Sequence, residues 1–380
     1  MKKVYFVADT IISPLGFSSE ENIEKIRKNQ TGIKEINDTT IWSEPFFGAV
    51  IENELLSKAW QDVSSDVGYT KLEKMMLLSV SKLLQKNPAL DISKCGIIIS
   101  TTKGNIDAID KNKEGTKAYL SSIAQTIQRY FKLPKTPVVL SNACISGALA
   151  IAIGKRMLQS GIYDDVIIVG GDLLSEFTLS GFFSFQAVSP SPCKPFCKKR
   201  TGISLGEAAA SVWLSIHENS NKTTAIQVTG DASANDANHI SGPSRTGEGL
   251  YISIDKALKE SKLSSNQIDY ISAHGTATPF NDEMEAIAFN RIGLEDIPVN
   301  SLKGYYGHTL GASALIESII AKHNLMNNEL FASIGFEELG VSQYINVIKE
   351  NKPQQLKRVL KTASGFGGCN VALIIEKVVS

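Results

Sequence analysis

Val138-Val139-Leu140-Ser141-Asn142-Ala143-Cys144-Ile145-Ser146-Gly147-Ala148-Leu149-Ala150-Ile151-Ala152-Ile153-Gly154 is the stretch on which the reading of this chain turns. A short apolar run gives way to small polar residues, and an apolar, small-residue segment follows. That pattern is a strand, a sharp turn and a helix, predicted over Val138 to Leu140 and Cys144 to Gln159. Cys144 then sits at or near a helix N-terminus. Free N–H groups and the helix dipole there favour thiolate and are expected to lower the cysteine pKa. Taken alone, a cysteine in a packed helix start is more often a small buried hydrophobe.

Strand-like and helix-like segments alternate on both sides of this unit. Upstream, Val4 to Ala8 and Gly96 to Ile99 read as strands. Ser19 to Lys28, Leu72 to Leu84 and Ala118 to Phe131 read as helices. Downstream come strands at Val166 to Val169, Ala208 to Ile216, Ile226 to Val228 and Ile268 to Ala273. Helices are predicted at Leu250 to Leu258, Asp282 to Phe289 and Gly311 to Leu325, and two apolar runs, Val359 to Ala363 and Val371 to Ile375, close the chain. The alternation predicts an α/β fold with a largely parallel sheet covered by helices. The short polar stretch Glu218 to Lys222 is the expected boundary between tightly packed halves, 1–217 and 222–380.

Composition narrows the function. The 380 residues carry 39 basic and 39 acidic side chains, and zero net charge argues against nucleic-acid binding, which needs a basic excess. No apolar run reaches the roughly 18 residues of a membrane helix. The apolar run after Met1-Lys2-Lys3 stops at Asp9, too short for a signal peptide. Five scattered cysteines suit a reducing cytoplasm. No phosphate-loop or dinucleotide signature appears, so no nucleotide cofactor is expected. Cys193 and Cys197 lack a second ligand pair, and no metal is expected. The loop Ser189 to Arg200 is proline-rich and basic, and Asn105 to Lys117 is a charged surface stretch.

Two histidines stand out. His274 ends an apolar run and is followed by Gly275-Thr276-Ala277-Thr278, a tight loop at a strand's C-terminal end, where active sites of parallel sheets gather. His308 lies in Lys303-Gly304-Tyr305-Tyr306-Gly307-His308-Thr309, before an apolar helix that carries Glu317. A glutamate in such a helix must be paired or exposed, and Lys303 is its expected partner. His217, His239 and His323 are read as structural. Gly202-Ile203-Ser204-Leu205-Gly206 matches the nucleophile-elbow pattern of serine hydrolases, but without the strand before and helix after that the elbow needs.

Together these residues resemble the β-ketoacyl-acyl carrier protein synthases of the thiolase superfamily, in their elongating, Cys-His-His form. The similarity runs nearly end to end. It covers Ile12-Ser13-Pro14-Leu15-Gly16, Thr31-Gly32-Ile33, Cys144, Lys194-Pro195-Phe196 with Arg200 and Gly206-Glu207, His274-Gly275-Thr276 with Asn281-Asp282, Lys303, Gly307-His308-Thr309, Glu317, and Gly365-Phe366-Gly367-Gly368 with Asn370. The resemblance implies a five-layered α/β/α/β/α thiolase-like fold of two similar halves. It implies decarboxylative condensation of a malonyl thioester with an acyl chain on Cys144. It assigns the catalytic triad to Cys144, His274 and His308, electrostatic support to Lys303 and Glu317, and an oxyanion hole to the amides of Cys144 and Phe366. Phe366 would gate the site, and Thr276 and Thr278 would bind the phosphopantetheine arm of an acyl carrier protein. The implied partners are that carrier, a second copy in a homodimer, or a chain-length-factor-like relative in a heterodimer. A non-catalytic partner subunit and a serine acyl hydrolase using Ser204 are the rival readings.

Some positions depart from the family pattern. Ile145 is bulky beside the nucleophile and is expected to reshape the acyl pocket. Cys197 stands where aspartate is usual, and the region between about Ile51 and Lys117 is short. With Cys193-Lys194-Pro195-Phe196 and Thr101-Thr102-Lys103-Gly104-Asn105, these features resemble synthases of aryl-polyene and flexirubin-type pigment pathways; fatty-acid elongation is the alternative. Lys194, Lys198, Lys199 and Arg200 are candidates for a basic carrier-docking patch.

Overall fold

The computed structural model describes residues 2–109, 115–218, 224–236, 238 and 242–379. His239 and most of the expected boundary, 219–222, lie outside them, as does the middle of the charged stretch, 110–114.

Ten strands form one sheet: β1 (Tyr5–Ile12), β2 (Gly96–Ser100), β3 (Val138–Leu140), β4 (Asp165–Asp172), β5 (Ala208–Ser215), β6 (Thr224–Asn235), β7 (Tyr270–Ser272), β8 (Val299–Asn300), β9 (Arg358–Gly365) and β10 (Cys369–Val379). Their spatial order is β8-β7-β9-β10-β6-β1-β5-β4-β2-β3. The two sets of five therefore have the same internal order, each strand of the first matched by the strand five places on. Pairing direction repeats as well. The outer pairs β3/β2, β2/β4, β8/β7 and β7/β9 are parallel, whereas β4/β5, β5/β1, β9/β10 and β10/β6 are antiparallel. The sets join where Tyr5 faces Gln227 across β1 and β6.

The sheet is thus mixed, not largely parallel. The apolar runs that alternation alone reads as crossover strands include β5 and β10, each of which lies between two antiparallel neighbours. Continuous apolar sequence reports burial on both faces and does not report strand direction.

Eight of the ten α-helices among the described residues are α1 (Ser19–Arg27), α2 (Lys71–Lys86), α3 (Leu120–Tyr130), α4 (Ser146–Gln159), α5 (Glu176–Ser184), α6 (Glu248–Ser261), α7 (Pro279–Arg291) and α8 (Ser313–Asn327). Period-two alternation sorts strand side chains between layers. Ile98 and Ile168 face a central core with Ile151 of α4 and Leu315 of α8. Ile97, Ile99 and Val169 face an outer core with Met75 and Met76 of α2. Leu360 and Ile374 face the opposite outer core with Leu250 and Phe289. The layers are α2/α3, sheet, α4/α8, sheet and α6/α7, which is the five-layered architecture.

Two buried ion pairs repeat across the halves. Lys155 and Lys322 are each the tenth residue of their helices, α4 and α8. Lys155 reaches Asp231 on β6 at 2.9 Å and Glu260 on α6 at 2.6 Å, and Lys322 pairs with Asp9 on β1. Each helix of one half is therefore pinned to the first strand of the other. Asp9 and Asp231 each lie four residues beyond the bridging pair Tyr5 and Gln227.

The central helices approach closely where Gly147 meets α8. A Cβ at Gly147 would stand 2.6 Å from the Leu315 amide nitrogen and 3.0 Å from the Gly311 carbonyl. Backbone cannot yield as a side chain does, so Gly147→Ala should destabilise the chain by about 1–3 kcal/mol and lower its melting temperature. Gly181, on α5 with nothing within 4 Å of the added Cβ, is the control. Gly181→Ala should leave the melting temperature unchanged or slightly raised. Equal effects at both positions would contradict the close approach.

Candidate active site

Cys144, His274 and His308 stand far apart in sequence and meet at the N-terminal ends of the central helices. Cys144 precedes α4, two residues before the helix begins at Ser146; His308 precedes α8; His274 follows β7. One donor atom from each of the three lies within 4.8 Å of the others. The imidazoles meet edge to face, with centroids 5.2 Å apart. All three side chains are buried.

Backbone geometry aims these groups. Ala143, before the cysteine, has φ 44°, a left-handed conformation costly for a residue with a Cβ. Gly307, before His308, has φ 65°, and a Cβ there would fall 2.6 Å from the Leu205 carbonyl oxygen. The Ser146 hydroxyl donates to the Ala143 carbonyl at 2.7 Å and accepts from the Asn142 amide at 2.8 Å, which fixes the turn.

Hydrogen bonds set the tautomers. The Leu310 amide donates to Nδ1 of His308 at 3.2 Å, so Nε2 of that ring carries the proton. That Nε2 is buried and has no hydrogen-bond partner in the protein. Nδ1 of His274 lies 3.4 Å from the Lys303 ammonium, which has only protons to offer, so this ring also presents Nε2–H. Burial, with Lys303 and the other ring, holds His274 well below the ordinary histidine range. Burial, with Lys303, Lys103 and Lys361, does the same for His308. Both imidazoles are neutral N–H donors.

Lys303 and Glu317 pair as expected, at 2.6 Å, and Lys303 also donates to the His274 carbonyl at 2.7 Å. Sequence reasoning missed Lys361, whose ammonium lies 2.7 Å from the other Glu317 oxygen. It also missed Glu285, which accepts from the amides of His274 (2.8 Å) and Gly275 (2.6 Å). Asp172 went unnoticed too; it accepts from the amides of Thr102 at 2.8 Å and Gly311 at 2.7 Å. A lysine within the apolar run Val359 to Ala363 was the available signal for Lys361. Glu285 lies in a helix of ordinary amphipathic pattern, and nothing local marks it. Asp282 accepts from the amides of Thr276 (3.0 Å) and Phe196 (2.7 Å), and burial raises its pKa to about 7.

A cleft of about 280 Å³ opens onto the triad. Thr276 and Thr278 line it, their hydroxyls 2.8 Å apart. Phe366 is 39% exposed at the rim, with its ring 5.6 Å from Phe182 and 5.4 Å from Phe185. Its backbone N–H faces the Cys144 thiol.

Three expectations need correction. Burial at Cys144 outweighs Lys103, Lys303 and the Phe366 amide and pushes its pKa up to about 11, so the resting residue is a thiol. Ile145 packs into the central core and does not line the cleft. The basic loop is not a free positive patch: Lys194 and Lys199 pair with Glu337, Lys198 pairs with Glu338, and Arg200 lies against Asp282 and the Gly340 carbonyl. Ser204 lacks the elbow's context, as its sequence surroundings imply: it is fully buried, its hydroxyl accepts from the Cys193 amide at 3.0 Å, and strands rather than a helix follow it. His217 is exposed, and His323 lies 2.9 Å from Asp9.

The chain matches the family models "Beta-ketoacyl synthase, N-terminal domain" over residues 75–219 and "Beta-ketoacyl synthase, C-terminal domain" over 226–337. It is 25% identical to 3-oxoacyl-[acyl-carrier-protein] synthase 2 of Vibrio cholerae, over 99% of each chain. Among solved structures, it superposes with TM-score 0.86 on a ketosynthase in complex with its chain length factor from Xenorhabdus doucetiae. That pair is 24% identical and covers 100% and 98% of the two chains. A β-ketoacyl synthase from Burkholderia phymatum gives TM-score 0.86 at 22% identity, over the whole of both chains.

A buried thiol with a raised pKa should show itself in alkylation. The rate at Cys144 with a small haloacetamide should climb about tenfold per pH unit and continue to rise past pH 9, because thiolate stays the minor form until the pKa is reached. Peptide mapping over a pH series measures this. A plateau near pH 7 would contradict it.

Proposed function

The chain belongs to the β-ketoacyl synthase family, and on that premise we propose the following division of the reaction among its residues. The activity is that of an acyltransferase, a 3-oxoacyl-[acyl-carrier-protein] synthase. The observation that carries the assignment is the convergence of one thiol and two neutral imidazole N–H groups at the head of two central helices.

The Cys144 sulfur attacks the carbonyl carbon of an acyl thioester. The amides of Cys144 and Phe366 receive the negative charge on the tetrahedral oxygen. Collapse breaks the bond to the carrier's sulfur, which takes up the proton lost by Cys144, and leaves the acyl group on the enzyme. A malonyl thioester then loses carbon dioxide, and the electron pair of the broken bond passes into an enolate. Nε2–H of His274 and of His308 stabilise its oxygen. The enolate carbon attacks the acyl-cysteine carbonyl, expels the Cys144 thiolate, which is reprotonated, and yields a 3-oxoacyl chain two carbons longer.

Neutral histidines suit this step. An imidazolium would donate its proton to the enolate carbon and quench it; a neutral N–H stabilises the oxygen without being acidic enough to do so. Lys303 orients His274 and Glu317 balances it. Thr276 and Thr278 hydrogen-bond the phosphopantetheine arm, which enters past Phe366. Gly367 and Gly368, with φ of 86° and 73°, let that segment swing. The reacting groups arrive on the carrier's arm, and no cofactor is invoked.

The halves of the reaction site divide as 1–217, with the nucleophile, and 222–380, with both histidines. The outer edge of β3 ends the sheet, with Val138 43% exposed. That edge suits pairing with a second copy or with a chain-length-factor-like relative. The acyl substrate is a flat, conjugated chain of the aryl-polyene kind, for which the rings of Phe182, Phe185 and Phe366 offer stacking faces. A saturated fatty acyl chain is the alternative. The working place is the cytoplasm, and no helix among the described residues is long and apolar enough to cross a membrane. A purely non-catalytic partner role leaves the converging triad without a purpose.

Intact-protein mass spectrometry tests the roles. Acyl carrier thioesters should load wild type and not Cys144→Ala. His274→Ala and His308→Ala should still load, while condensation falls by roughly 10²–10³ or more. Condensation at the wild-type rate in either histidine variant would overturn the triad.

A further inference from the structure

One buried charge near the triad has no role in the reaction as described. The Lys361 side chain is fully buried on β9. Its ammonium lies 2.7 Å from Oε2 of Glu317 and donates to the carbonyls of Ser272 at 3.1 Å, Ala273 at 3.3 Å and Thr362 at 2.5 Å. Two of those carbonyls belong to the residues immediately before His274. The neighbouring Thr362 hydroxyl donates at 3.3 Å to Glu285, the carboxylate that clamps the His274 and Gly275 amides. A lysine is costly to bury, and this one is spent on the backbone and carboxylate around one catalytic histidine.

We propose that Lys361 is a positioning residue of the condensation site. Its ammonium fixes the end of β7 and the Glu317 carboxylate, and it closes the charge balance that keeps His274 and His308 as uncharged N–H donors.

The balance can be followed group by group. Glu317 and Glu285 set two carboxyl groups beside the histidine pair, and Lys303 and Lys361 two amino groups; burial raises the Glu285 pKa and lowers that of Lys361, so each depends on the opposite charge of the others. Glu317 is shared between both ammoniums, at 2.6 Å from Lys303 and 2.7 Å from Lys361. Burial alone would raise Glu317, but the two lysines outweigh it and hold the carboxyl below its usual range. Lys361 also opposes protonation of both imidazoles, alongside burial and Lys303. The other titratable groups around the pair are Cys144, Lys103, Asp172 and Asp282. Without Lys361, one negative charge is left uncompensated beside the imidazoles, which then take up a proton more readily. Wherever a histidine is protonated the enolate is quenched, so the condensation rate is lost from the acid side first.

The inference rests on the condensing reading of the site, and its test separates the two. The condensation rate of acyl-loaded enzyme with a malonyl carrier thioester is measured against pH for wild type, Lys361→Met and Lys361→Met/Glu317→Gln. The acid limb of Lys361→Met should move up by about 1 pH unit. In the double variant, with both charges removed, the limb should return toward the wild-type position, even at a lower maximal rate. Acyl loading at Cys144 and the melting temperature are followed in parallel. An unmoved limb, or a loss uniform across pH, would overturn the positioning role. If Lys361→Met does not fold, Glu317→Gln and the double variant are compared, and the double should show the higher limb; equal limbs would overturn the proposal. Absence of condensation by wild type at every pH would instead overturn the condensing reading itself.

Discussion

A carboxylate buried in a helix between two sheets is tolerable only if its charge is met where it stands. Glu317 is met twice, by Lys303 and by Lys361. Lys303 belongs to the segment that leads to His308 and donates to the carbonyl of His274. Lys361 belongs to β9 and donates to the carbonyls just before His274. The ion cluster therefore ties together α8, β9, the end of β7 and the turn before α8. His274 takes its orientation from it, and its lysines add to burial in keeping both imidazoles neutral.

The second constraint is symmetry. The five-strand order repeats between halves, and Lys155 with Asp231 is answered by Lys322 with Asp9. The helices that follow the third strand of each half consequently lie against one another. Their close contact at Gly147 brings their N-terminal ends together. Cys144 and His308 precede equivalent helices, one from each half, so the nucleophile and one of its electrophilic partners face each other across the pseudo-twofold. His274 joins them from the end of a neighbouring strand. Backbone strain at Ala143 and left-handed turns at Gly275 and Gly307 mark the points where the chain is bent to complete this meeting.

Much of this was legible in the sequence because its signals are local. The strand, turn and helix around Cys144 follow from one apolar run, one polar turn and one small-residue helix. The glycine-rich turns beside His274 and His308 separate those histidines from His217 and His323. The Lys303–Glu317 pair follows from a carboxylate set in the apolar first half of α8. What escaped is what depends on neighbours distant in sequence. Strand direction at β5 and β10 is invisible to hydrophobic patterning. Glu285 looks like any amphipathic helix residue until His274 and Gly275 are seen to donate to it. The basic loop reads as a docking patch until Glu337 and Glu338 are placed against its lysines. The Cys144 pKa was expected to fall because a helix end is visible in sequence, whereas the depth of burial that raises it is not.

The central claim is that the triad couples loss of carbon dioxide to carbon–carbon bond formation. The direct measurement is a single-turnover experiment with acyl-loaded enzyme and a malonyl carrier thioester labelled in its free carboxyl. Released label and 3-oxoacyl product are counted together. The account predicts one carbon dioxide per product, with the chain longer by two carbons and no free acid formed. Carbon dioxide released without chain extension, or acyl chain lost as free acid with the label retained, would contradict it.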